Sequence, residues 1–322
     1  MASEFELIAR YFDRATQHTR LGVGDDGALL RVAPGMELVV STDMLVAGTH
    51  FLADTDPQDL GWKALAVNLS DLAAMGANPR WAVLAVSLPA PDETWIREFC
   101  RGLFACAESF GVDLVGGDTT RGPLNLCPTI FGEVPAGLAL LRSGARAGEQ
   151  IWVSGKPGLA ALGLAHLHGR CQLSEHLLSD CLAALQRPQP RVALGLALRN
   201  IASSAIDVSD GLLGDLGHIL ERSGVGAVVY LENLPDAASR ACSDPQVARQ
   251  CLLGGGDDYE LLFTAPRARQ QEILAISASS GLPLTAIGDI VAASEPRLVL
   301  LDAGVAMPTP GKLGFDHFAT RA

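Results

Sequence analysis

Apolar positions change period several times along the chain, and the changes mark out its elements. Phe5, Ile8 and Phe12 recur at helical spacing behind a Ser3/Glu6 capping-box pair, which predicts a helix over 4–15. Residues 37–43, Glu-Leu-Val-Val-Ser-Thr-Asp, form a short apolar run that ends in polar residues, as a strand would. Asp56-Pro57 then places a first-turn proline at the head of a helix that Gly76 ends. On it Trp62, Leu65, Leu69 and Leu72 make one apolar stripe, while Asn68 and Asp71 share another face with Ala64 and Met75. A strand over 81–88, a helix over 93–110 stopped by Gly111, and strands over 112–115 and 126–134 give mixed α/β alternation. The small, turn-rich run 136–148 sets an expected domain boundary, 1–140 and 141–322. Beyond it the pattern predicts a strand over 150–153, helices near 158–168 and 191–203, and a helix from 211. Strands near 226–231 and 258–264 and a last α/β pair over 266–302 complete the reading, with no short-period repeat.

Composition narrows the class. A chain of 322 residues suggests about two domains. Hydrophobic residues at 48% and charged residues at 19% exclude disorder, and 34 Gly with 18 Pro lack a G-X-Y period. The net charge of −12 without any basic run argues against nucleic-acid or anionic-membrane partners, both of which need clustered Lys and Arg. No apolar stretch reaches the ~18 residues of a membrane span, and the opening Met1-Ala2-Ser3-Glu4-Phe5-Glu6 is acidic, so a cytoplasmic protein is expected. Seven cysteines, scattered and never spaced C-x-x-C, read as buried reduced thiols.

The acids are concentrated. Gly22-Val-Gly-Asp-Asp-Gly27, Ser41-Thr-Asp43, Asn68-Leu-Ser-Asp71, Gly116-Gly-Asp-Thr-Thr-Arg-Gly122, Asp207-Val-Ser-Asp-Gly211 and Gly254-Gly-Gly-Asp-Asp-Tyr-Glu260 each set Asp beside glycine or small polar residues. Any one of them reads as an ordinary Asp/Gly turn. Together they offer hard oxygen donors on backbone that a ligand can approach closely, which suits Mg²⁺ and poorly suits zinc or copper. Gly22-x-Gly24-x-x-Gly27 matches the dinucleotide fingerprint only formally. It follows no buried strand, and Asp25 and Asp26 would repel a pyrophosphate. Gly155-Lys156-Pro157 fails as a P-loop, and neither H-E-x-x-H nor G-x-S-x-G occurs. What remains is metal-assisted phosphate chemistry, since phosphoryl transfer asks for positioning and charge neutralisation more than for covalent chemistry.

At these motifs the sequence resembles the thiamine-monophosphate kinase family, within the superfamily that includes aminoimidazole ribonucleotide synthetase and selenophosphate synthetase. The matching runs are Gly24-Asp-Asp-Gly-Ala28, Ser41-Thr-Asp-Met-Leu-Val46, Thr49-His-Phe51, Asn68 to Ala77, Gly116-Gly-Asp-Thr-Thr120, Arg142-Ser-Gly-Ala145, Asp207 to Leu212 and Gly314-Phe-Asp-His-Phe318. The resemblance implies ATP-dependent, Mg²⁺-dependent phosphorylation of thiamine monophosphate to thiamine diphosphate by direct in-line transfer. It also implies a two-domain α/β fold of the aminoimidazole ribonucleotide synthetase type. A homodimer would pair its N-terminal sheets, and a C-terminal domain would complete the nucleotide and substrate cleft. Carried over, Asp26, Ser41, Thr42, Asp43, Asp71, Asp118, Asp207 and Asp210 look like metal ligands. Gly117, Asp118, Arg142 and Ser209 look like nucleotide contacts, and His50, Glu260 and Phe315 like contacts to the thiamine phosphate. Phe315 stands where the family often has Trp or Tyr, keeping a stacking face without a polar handle. Asp257 receives no role; Asp215 could join the acid cluster but is expected to cap a turn or face solvent. Two other readings stay open here: a superfamily ligase or synthetase, and an idle Mg-nucleotide scaffold. Against them stand the lack of a cysteine before Cys100 and the presence of the five acids Asp26, Asp43, Asp71, Asp118 and Asp207.

Overall fold

The computed structural model of the chain describes residues 4–236, 242–293, 295, 297–311, 313–315 and 317–318. Ser3 of the expected capping box and Asp316 of the last motif lie outside the described residues. The chain divides into two compact units, Met1–Leu72 with Ala77–Ala139, and Ala73–Gly76 with Leu140–Ala322.

The first unit is built on a sheet in the order β1 (Met36–Thr42), β5 (Asn125–Pro135), β3 (Asn78–Leu88), β4 (Asp113–Arg121), with the short β2 (Leu45–Val46) also paired to β5. β5 runs antiparallel to β1 and β3, whereas β3 and β4 are parallel and are joined by helix α3 (Glu93–Phe110). Asp92 caps α3 by accepting from the N–H groups of Thr94 and Trp95, and Gly111 ends it in the left-handed region at φ 64°. Helix α2 (Pro57–Ala74) starts at the expected proline, with Asp56 accepting from Gln58 and Asp59.

The single-stripe reading of α2 needs correction. Lys63, Asn68 and Ser70 are as buried as Leu65 and Leu69, because α3 and the sheet enclose the helix. A Cβ on Gly61 would stand 2.0 Å from the Phe99 carbonyl oxygen, one on Gly102 would stand 1.8 Å from that of Gln58, and Leu72 already reaches Gly132 of β5. Two glycines thus let α2 and α3 cross at backbone contact. The N-terminal helix is also shorter than expected. α1 (Glu4–Leu7) widens into a π-type turn over Ile8–Phe12, closed by Asp13 N–H donating to the Ile8 carbonyl. The expected strand at 112–115 runs on to Arg121 through the Gly-Gly-Asp-Thr-Thr motif, after a bulge at Val115.

The second unit carries a seven-stranded sheet in the order β12 (Val305–Met307), β11 (Leu298–Asp302), β8 (Gly226–Tyr230), β10 (Leu284–Val291), β6 (Gln150–Ser154), β9 (Leu261–Ala265), β7 (Ser204–Asp207). β6, β7 and β9 are buried along their whole length, which explains their unbroken apolar runs. Helix α7 (Leu212–Ser223) packs Leu212, Leu213, Leu216, Ile219 and Leu220 into a cluster with Ile151, Val153, Ile206, Leu262 and Ile287. Helices α4 (Leu159–Leu167), α5 (Glu175–Gln186), α6 (Val192–Leu198), α8 (Pro245–Gly254) and α9 (Gln270–Ser280) complete it. α5 and α8 are not anticipated by the sequence reading. The helix expected over 191–203 ends at Leu198, because Asn200 turns left-handed at φ 63° to enter β7. All seven cysteines are free, and burial pushes the thiols of Cys100, Cys181 and Cys251 up to about 12.

Candidate active site

In the first unit the end of β1 and the C-terminal turns of α2 present oxygen atoms to each other. Ser41 points from β1 to α2, where its hydroxyl donates to the Asp71 carboxylate. Thr42 points to the opposite face, donating its hydroxyl to the Pro128 carbonyl at 2.9 Å while accepting from Thr129 at 2.9 Å. Asp43 follows directly, its N–H donating to the same carbonyl at 3.4 Å. One turn before Asp71, the buried Asn68 donates from Nδ2 to the Ala64 carbonyl at 3.3 Å, while its Oδ1 has no hydrogen-bond partner. Gly117 and Asp118 lie in β4 opposite Leu84 and Ala85. A Cβ on Gly117 would stand 2.0 Å from the Leu84 carbonyl oxygen, so only glycine lets β4 run this close to β3 while leaving Asp118 exposed. Asp26 is exposed in the Gly22–Gly27 loop. His50 accepts from the Val46 N–H on Nδ1 at 3.0 Å, which puts the proton of a neutral ring on Nε2.

In the second unit two acid motifs are zipped together. Val208 N–H donates to the Glu260 carbonyl at 2.8 Å, Tyr259 N–H to the Val208 carbonyl at 2.8 Å, and Asp257 N–H to the Ser209 carbonyl at 2.9 Å. The approach demands glycine on both sides: a Cβ on Gly256 would stand 2.3 Å from the Ser209 oxygen, and one on Gly211, at φ 133°, would stand 2.7 Å from Gly254. Asp257 and Tyr259 adopt φ 69° and 52°, which delays the start of β9 from the expected 258 to Leu261. The left-handed region is an outlier for a residue as bulky as tyrosine and is the kind of strain found at functional loops. The Asp210 carboxyl is raised by burial and by Asp257, while His218, His317 and Arg142 pull it back down. The C-terminal motif docks here too, with Phe315 N–H donating to the Asp210 carbonyl at 2.9 Å. Phe315 itself is exposed and meets the His317 ring edge-on at 4.8 Å. The Arg142 loop is pinned by Ser223, which donates to the Arg142 carbonyl at 3.3 Å and accepts from the N–H groups of Gly144 and Ala145 at 3.2 Å.

Four residues have partners that the sequence alone does not give. Glu260 is buried and already engaged, accepting from Arg191 Nε and Nη2 at 2.7 and 2.6 Å and from the Ser154 hydroxyl at 2.5 Å. Arg191 was not singled out at all. Asp258 caps α4 from a distance, accepting from the N–H groups of Gly158 and Ala160 at 2.6 and 3.3 Å. Asp215, far from facing solvent, is buried with its carboxylate turned toward the Ser209–Gly211 loop. Its place four residues after Gly211, in the first turn of a helix, is the signal that could have found it.

Among the described residues no three His, Cys, Asp or Glu side chains converge to hold a metal ion by themselves. The donor set is nonetheless all oxygen, and Ser41 with Asp71 already forms a joined pair. That fits Mg²⁺, which takes one or two carboxylates and fills its shell with water and substrate phosphates, and does not fit a closed all-protein cage.

Residues 24–134 match the AIR synthase related protein N-terminal domain, and residues 146–300 match its C-terminal domain. The thiamine-monophosphate kinase of Salmonella typhimurium is 50% identical over 326 residues, covering 98% of each chain. The chain belongs to the thiamine-monophosphate kinase family. The crystal structure of the family member from Stenotrophomonas maltophilia superposes with a TM-score of 0.82 at 46% identity, covering 91% of this chain and 94% of that one. AaThiL complexed with AMPPCP and TMP gives a TM-score of 0.77 at 27% identity over 98% of this chain and 97% of that one. Membership bears out the resemblance carried by the acid motifs, together with the two-domain α/β fold expected from it.

Proposed function

We propose that this chain transfers the γ-phosphoryl group of ATP directly to the phosphate of thiamine monophosphate, giving thiamine diphosphate and ADP. The observation that carries the reading is its identity to a thiamine-monophosphate kinase over nearly the whole of both chains. The nucleophile is a substrate phosphate oxygen, largely ionised at neutral pH because its second pKa is near ~6, so no general base has to be supplied. That agrees with a site rich in acids and without a His–carboxylate pair singled out by its sequence. What the protein must do is hold two anions in line.

Residues 1–140 carry most of the metal set in this assignment, Asp26, Ser41, Thr42, Asp43, Asp71 and Asp118, with Gly117 and Asp118 also on the nucleotide. Residues 141–322 contribute Asp207 and Asp210 to metal and Arg142 and Ser209 to nucleotide; His50 and Phe315 are assigned to the thiamine phosphate, and Glu260 to it through Arg191. Mg²⁺ held by these oxygens would neutralise and align the phosphate oxygens of both substrates. The Ser41 hydroxyl keeps the Asp71 carboxylate turned toward β1. Glu260 acts by holding the Arg191 guanidinium, and the exposed ring of Phe315 offers a face to the cationic thiazolium. The working form is a cytoplasmic homodimer joined through β1. Met36, Leu38 and Val40 alternate on the face of that strand opposite Ser41 and are all exposed, an apolar stripe of the kind that a second sheet covers.

Incubating the purified protein with ATP, Mg²⁺ and thiamine monophosphate should yield thiamine diphosphate and ADP in equal amounts, and chelation of Mg²⁺ should stop both. No thiamine diphosphate above the enzyme-free background would sink the proposal.

A further inference from the structure

Asp215 stands outside every set named so far, yet it is a buried acid bonded to the backbone of one of the acid motifs. It lies in the first turn of α7 and is 2% exposed. A single oxygen, Oδ2, accepts three consecutive backbone N–H groups, from Ser209 at 3.1 Å, Asp210 at 3.1 Å and Gly211 at 3.0 Å. Three successive N–H groups aimed at one point fix the backbone of those residues as a nest. The side chains that leave this nest are Ser209 and Asp210, whose outer side is zipped to the 257–260 segment through the Ser209 and Val208 carbonyls. On the far side, the Asp210 carbonyl receives the N–H of Phe315. With N–H groups held on one side and carbonyls on the other, the loop has little freedom to turn Ser209 or Asp210 away. Burial raises the Asp215 carboxyl to about 7, and the three N–H groups oppose that shift, so the group is held where it is costly for the sake of the bonds it makes.

We infer that Asp215 is a positioning residue for nucleotide binding: as the acceptor at the centre of the Ser209–Gly211 nest, it sets the direction of the Ser209 hydroxyl and the Asp210 carboxylate. The inference rests on the kinase reading, in which those two side chains meet nucleotide and metal. The bland alternative is that Asp215 only caps α7, in which case its loss lowers stability and leaves affinities alone.

The test compares Asp215→Ala, Asp215→Asn and Asp215→Glu in the full chain, by steady-state kinetics for both substrates and by calorimetric titration with Mg²⁺ and AMPPCP. Asparagine keeps an acceptor oxygen at the same reach, alanine removes it, and glutamate carries it too far. For D215A the KM for ATP and the Kd for the Mg²⁺–AMPPCP complex should rise about tenfold or more, while the KM for thiamine monophosphate stays within about twofold. D215N should restore most of the nucleotide affinity. Wild-type affinities in folded D215A would overturn the inference, as would a fall in kcat that merely follows the folded fraction, or a D215N as weak as D215A. If D215A does not fold, the other two decide: weak nucleotide binding by D215E beside a near-normal D215N supports the inference, and a D215E equal to wild type overturns it. A wild-type protein that makes no thiamine diphosphate refutes the kinase reading, and is distinguishable from all of these outcomes.

Discussion

Asp71 and Glu260 illustrate how one residue type reaches opposite ends in the same chain. Asp71 is half-buried on α2, where the Ser41 hydroxyl donates to its carboxylate, and in the proposed assignment that carboxylate meets a cation. Glu260 is buried and balanced by a bidentate guanidinium, so its charge is already neutralised within the second unit. By composition alone the two look alike, as acids in acid-rich motifs. Burial and the partner separate them, and Arg191, far away along the chain, carries no local motif that would announce it. Asp71→Asn should lower turnover by about a hundredfold or more while leaving the far-ultraviolet dichroism unchanged, because a neutral amide keeps the Ser41 bond but not the charge. Near-normal turnover would remove Asp71 from the metal set.

Among the elements, those with local signals were legible and those decided by distant partners were not. α3 has a capping Asp92, an apolar stripe and a terminal Gly111, and it was read to the residue. α8 begins with Asp244-Pro245, the same signal as Asp56-Pro57, with Asp244 accepting from Gln246 and Val247, so it was missed although its cue was present. The full burial of α2 and the extension of β4 through Gly117 could not be read locally, since both depend on backbone approach from another element. Gly102→Ala puts a methyl into the Gln58 carbonyl, which neither backbone can yield cheaply. It should destabilise the protein to urea by about 2 kcal/mol or more, and an unchanged midpoint would show that the α2–α3 crossing is not that tight.

Taken as one molecule, the chain joins an apolar strand face to a set of acid loops, and both features belong to the proposed enzyme. The exposed Met36, Leu38 and Val40 make β1 an edge that a monomer would normally protect with charge. Sedimentation should therefore give twice the chain mass for wild type and the chain mass for Val40→Lys, and a monomeric wild type would contradict the dimer. The acid motifs were legible because glycine and aspartate recur in short runs, whereas the partners of Asp215 and Asp258, and the approach of the distant Arg191 to Glu260, appear only in the folded chain. The central claim is a single direct displacement on phosphorus. It is tested most directly with ATP whose γ-phosphorus is made chiral by isotopic oxygen and sulfur, by reading the configuration of the phosphorus transferred to thiamine monophosphate. One in-line transfer predicts inversion; retention, or label recovered first on the protein, would contradict it.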